Sequence, residues 1–101
     1  MAVLSQKTVQ IVEKLFNPDL RPEVERTLLE ECGNQLPGLR EVDELVLERF
    51  RFAVLKLSQG KMVKLDQAVQ LAKTDWRDLL MEAGFAFDVH AHEKWADQVL
   101  R

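Results

Sequence analysis

Tyrosine is missing from this chain, cysteine occurs once, glycine four times and proline three times in 101 residues. Each scarcity excludes something. A lone Cys32 cannot close an internal disulfide, so the fold must hold without one and a reducing compartment is expected. So little glycine and proline rules out a collagen-like or low-complexity chain. Nothing approaches about 18 consecutive apolar residues, the minimum for a membrane-spanning helix. The longest apolar neighbourhood, Val42 to Leu57, is interrupted by Glu48, Arg49, Arg51 and Lys56. Met1-Ala2-Val3-Leu4 has neither the basic start nor the apolar run of a signal peptide, and a soluble, cytoplasmic protein is expected.

A basic excess is also lacking. Fourteen Lys and Arg face seventeen Asp and Glu, for a net charge of −3. Nucleic-acid binders draw most of their affinity from neutralising phosphates, and this balance does not supply it. The acidic excess lies in residues 1–50, leaving 51–101 close to neutral. Phosphate-binding glycine loops, H-E-x-x-H, C-x-x-C and G-x-S-x-G are all absent. No pattern in the chain specifies an activity, and an enzyme is not the expectation.

What the sequence does hold is helical periodicity over most of its length, which predicts an all-α fold. The chain, 1–101, reads as a single bundle of about five helices with short connections. The first helix spans Ser5 to Phe16, with Ser5 as N-cap and Asn17-Pro18 ending it. In the second, Pro22 takes an opening position and Val24, Leu28, Leu29 and Cys32 form the stripe, with Gly33 as C-cap. Residues 34–39 form a turn. The third helix runs from about Glu41 to Ser58 and opens on the acids Glu41, Asp43 and Glu44. A fourth from Lys61 to Ala83 keeps its apolar residues on one side, which favours one continuous helix; the alternative is a break capped by Thr74-Asp75. Asp88 caps a last helix over Val89 to Leu100, with Val89, His92, Trp95, Ala96 and Val99 turned inward. Phe85, Phe87, Trp76 and Trp95 are expected to cluster and pin the C-terminus.

The third helix invites a functional reading because its apolar residues exceed the roughly 100° stripe of a surface helix. It is either central in the domain or shared with a second subunit. The leading functional expectation is an interaction or regulatory protein that self-associates as a homodimer through this helix. Leu47, Phe52 and Leu55 would lie outside the monomer core, with Arg49 as a bidentate site for an anion or acidic partner. The alternative for Arg49 and Lys56 is an ion pair with a neighbouring helix, or a head lifted to solvent.

Two further readings compete. Asp88, His90, His92 and Glu93 bring together both histidines and two carboxylates, donors that suit a divalent metal. Helical spacing points His90 and His92 about 200° apart, so a site needs ligands from another helix or subunit. A helix-turn-helix DNA binder is the other, with Lys61, Lys64 and Gln67 after Gly60 as the nearest approach to a recognition surface. Cys32 would need an activating base, and its neighbours Glu30 and Glu31 would raise its pKa.

The segment Leu71-Ala72-Lys73-Thr74-Asp75-Trp76-Arg77-Asp78-Leu79-Leu80, then Ala83-Gly84-Phe85, Asp88 to Glu93 and Trp95, resembles small uncharacterised bacterial proteins of about this length. Arg51 to Ser58 belongs to the same likeness. The resemblance covers the second half and implies a stand-alone bacterial protein; it transfers no activity and no site residue.

Overall fold

The computed structural model describes residues 4–33 and 44–101, and the helical pattern read from the sequence is realised with one additional break. Six helices follow in order: α1 Gln6–Leu15, α2 Arg21–Glu31, α3 Glu44–Ser58, α4 Met62–Thr74, α5 Trp76–Ala83 and α6 Ala91–Val99. The described residues contain no strand.

Local chemistry sets most of the boundaries. Ser5 caps α1 by accepting a hydrogen bond from the Thr8 N–H at 3.2 Å, and the chain turns extended at Phe16 before Pro18. Pro22 sits in the opening turn of α2, beside acidic Glu23. That helix ends one residue earlier than expected, with Cys32 rather than Gly33 at its C-cap. The turn at 34–39 and the acidic pair Glu41 and Asp43 lie outside the described residues.

The span 61–83 is two helices, not the single one that its periodicity favours. Asp75 adopts an extended backbone (φ −157°, ψ 97°), and its side chain accepts from the Arg77 N–H at 3.0 Å. Thr74 turns its hydroxyl back to the Gln70 carbonyl at 2.8 Å. Both side chains offer the backbone partners that helix continuation would not. One extended residue re-aims the chain so that α4 and α5 pack on each other and both pack on α3. A shared core explains why their apolar residues kept one phase in sequence.

α3 is the central element and touches α1, α4, α5 and α6. Six successive residues, Phe50, Arg51, Phe52, Ala53, Val54 and Leu55, are buried, which no one-sided helix could achieve. Among the described residues the apolar arc is covered within the chain except at Val46, which is 37% exposed. Leu47, Phe52 and Leu55 belong to the core, against the expectation that they lie outside it. Neighbouring helices cover this helix on several sides, so these side chains are not available to a partner.

At its C-terminal end α3 turns through Gln59 (φ 52°) and Gly60 (φ 77°). Ser58 secures this corner, donating to the Leu55 carbonyl at 2.6 Å and accepting from the Gly60 N–H at 3.3 Å. The corner presses on the end of α1. α5 closes on left-handed Gly84, with the Phe85 N–H reaching the Leu80 carbonyl at 2.8 Å and the Gly84 N–H reaching Met81 at 3.1 Å, a Schellman motif.

Candidate functional site

The two cations that interrupt the apolar arc of α3 share one task. Lys56 Nζ donates to the Ala83 carbonyl at 2.7 Å and sits 5.0 Å from the centre of the Phe85 ring. Arg49 Nη2 donates to the Phe85 carbonyl and, at 3.4 Å, to that of Ala86. Lys56 reaches the C-terminal end of α5, where unpaired carbonyls and the helix dipole favour positive charge, and Arg49 holds the turn that follows it. Neither forms an ion pair with an acid among the described residues. Arg51 is buried and donates from Nε to the Cys32 carbonyl at 3.2 Å, serving the end of α2 in the same way.

Beyond Gly84 the chain splits into a buried and an exposed half. Phe85 and Phe52 of α3 each pack against His92 and Trp95 of α6, with ring centres between 5.7 and 6.2 Å apart in the four pairings. This cluster pins α6, as expected for Phe85 and Trp95, but its other members differ. Trp76 instead packs against Phe50, with ring centres 5.4 Å apart and the planes tilted by 58°. Phe87 is 94% exposed. Val89, expected inside, is 63% exposed because α6 begins only at Ala91.

The histidine segment does not assemble a metal site. His90 is exposed, and its Nδ1 lies 3.1 Å from Glu93 Oε2. Asp88 accepts from the His90 N–H at 2.8 Å and from Lys94 Nζ at 3.2 Å, contacts that hold its carboxyl below the ordinary range. His92 faces the other way, buried against the two phenyl rings. Among the described residues no three His, Cys, Asp or Glu side chains come together that could hold an ion. His90 stands at the N-cap of α6, exposed to solvent, while His92 lies within the helix on its inward face.

The buried imidazole has a measurable consequence. Its Nδ1 is enclosed without a hydrogen-bond partner, and burial lowers its pKa from the ordinary 6.5. Glu93 and Glu48 pull in the opposite direction, while Arg49 and His90 add to the lowering. A histidine depressed in the folded state takes up protons more readily when unfolded, so its neutral form contributes stability fully above pH 6.5. That contribution fades as the pH falls through 6.5 toward the lower folded value. Wild type is therefore expected to lose more stability than His92→Phe between pH 7 and pH 5 in paired denaturant titrations. Equal losses would place the imidazole in solvent.

Cys32 is buried, and its thiol is pushed up to about 12, first by burial and further by Glu31, with Arg51 and Lys73 opposing. Burial thus favours the neutral thiol over the thiolate that a nucleophile requires. Lys64 donates to Gln59 at 2.6 Å, and Asp66 is exposed on the same helix, so the Lys61–Gln67 stretch is not a uniformly basic surface.

What the sequence did not reveal is a groove between α3, α5 and the turn after it. Its volume is ≈ 220 Å³, and it is lined by Arg49, Trp76, Arg77, Leu80, Met81, Ala86 and Phe87. Met81 is 57% exposed. Arg77 lies over the Trp76 ring at 5.3 Å, an orientation in which a guanidinium and an indole attract. A larger cleft of ≈ 400 Å³ at Gln10, Glu13, Lys14, Arg21 and Leu100 is polar, and Arg21 is already committed to the Phe16 and Glu13 carbonyls. Of the residues that line it, the sequence marks Arg49 as an interaction candidate, while Phe87, expected in the aromatic cluster, stands exposed at its rim.

No protein-family model, curated protein or solved structure matches the chain. The resemblance of its second half to small bacterial proteins therefore assigns it to no family. No helix among the described residues is long and apolar enough to cross a membrane.

Proposed function

We propose that this chain is an interaction protein rather than an enzyme, and that it docks through the face formed by α5 and the turn after it. The observation that carries this reading is Phe87, a phenyl ring standing in solvent at the rim of an apolar groove. Large apolar groups concentrated beside a concave surface mark interaction sites far more often than scattered ones do. Trp76 and Arg77 add the residue types that dominate binding energy at interfaces. The docking role once expected of α3 moves to this face, because Leu47, Phe52 and Leu55 are occupied in the core.

A photoreactive phenylalanine analogue placed at position 87, in cells that make the protein, tests this. A covalent adduct is expected from position 87 and not from Val63, a control 70% exposed on α4. Adding Met81→Arg should abolish the adduct, since the groove is then obstructed. Equal labelling from both positions, or labelling indifferent to Met81, would sink the proposal.

A further inference from the structure

The docking face carries two complementary shapes. Phe87 projects from it, and the groove beside it is open. When a projection and a recess share one surface, a two-fold rotation presents each copy's projection to the other's recess, the geometry of an isologous pair. We propose, resting on the docking reading above, that the occupant of the groove is a second copy of this chain, with Phe87 of each protomer seated between Trp76, Leu80, Met81 and Ala86 of the other.

Size, charge and rigidity agree. An apolar cavity of about 150 Å³ accepts a benzene ring, and this groove offers ≈ 220 Å³. Arg77 and Arg49 border the groove, and Asp88 follows Phe87 directly in the chain. Seating the ring brings the exposed Asp88 carboxylate toward the partner's Arg77, so the two-fold pairing offsets the arginines instead of opposing them. The projection is also held in place before it docks. Arg49 grips the carbonyls of Phe85 and Ala86 on one side, and Asp88 ties the other side to His90 and Lys94. A pre-positioned anchor loses less conformational freedom on binding. One ring from each side, with Met81 and Val89 around it, makes an interface smaller than the roughly 1,200 Å² of a tight complex. The dimer is accordingly weak and reversible, forming at roughly micromolar concentrations or above.

Sedimentation of the purified full chain over a range of concentrations tests the pairing. Wild type is expected to pass from monomer to dimer. Phe87→Ala, which removes the projection, and Met81→Arg, which obstructs the recess, should each weaken the dimer about thirty-fold. Circular dichroism and the thermal midpoint should not change, because both side chains are exposed. Mixing the two variants should restore a heterodimer, since the intact Phe87 of one meets the groove of the other, where Trp76, Leu80, Met81 and Ala86 are unchanged although Phe87→Ala trims its rim; one contact remains of two, so it forms less tightly than wild type. A chain that stays monomeric throughout, a dimer that survives both substitutions, or a mixture without recovery would each overturn the pairing. If the pure chain is monomeric while position 87 in cells yields an adduct whose total mass is not twice 11.7 kDa, the docking reading stands and the second copy is removed.

Discussion

Leu55→Asp is expected to unfold this protein, not to separate two folded copies of it. Leu55 has no exposed surface and lies in the cluster that joins α3 to its neighbours. Replacing a buried leucine even by alanine removes about 2–5 kcal/mol. A carboxylate in the same place must also be stripped of water or protonated, which adds a further penalty. Domains of this size hold about 5–15 kcal/mol in total, so the sum consumes most or all of it. Far-UV circular dichroism should show the loss of helix at neutral pH. A folded, helical monomer would instead mean that α3 carries an open apolar face, as its composition first suggests. Phe87→Asp is the contrasting control: the same chemistry on a ring 94% exposed should leave the helices intact.

Gly60→Ala is expected to be strongly destabilising although it adds a single methyl group. A Cβ at this position would lie 2.5 Å from the Leu15 carbonyl oxygen, part of the α1 backbone and not a side chain that can swing aside. The left-handed conformation at φ 77° adds its own strain for any residue bearing a Cβ. Together these give a loss of about 3 kcal/mol. For a chain of this length that lowers the thermal midpoint by roughly 12–24 °C. Gly84→Ala separates the two causes. Its φ of 81° imposes the same strain, but the added Cβ meets only Lys56 Nζ, at an ordinary 3.6 Å. A loss of about 1 kcal/mol is expected there. Matching losses at the two glycines would show that the α3–α4 corner does not press on α1.

Much of the fold was legible because it is written in near-neighbour chemistry. Ser5, Pro18, Pro22 and Gly84 act within a few residues of themselves, and they mark boundaries in the sequence as they do in the structure. Asp75 was equally visible as a cap. It lost to the continuity of the apolar phase, and periodicity cannot register a break that leaves both halves facing one core. The extent of α3's apolar surface was also plain, but not its use. A helix surrounded by its own domain and a helix shared between two subunits have the same composition.

The candidate site was hidden for a related reason. Arg49 and Lys56 stood out as charges among apolar residues, yet their partners are carbonyls at and just after the end of a helix some thirty residues away, and carbonyls have no sequence signature. Phe85 and Phe87 are the same residue type two positions apart, and only the packing of α3 and α6 puts one in the core and the other in solvent. The histidines divide likewise, one among the rings and one in water. From its sequence alone this chain commits to helices, to their caps and to a charge that disfavours phosphate. Which apolar surface remains over once the helices have packed was settled only by tertiary structure, because burial belongs to the assembled helices and not to any one of them.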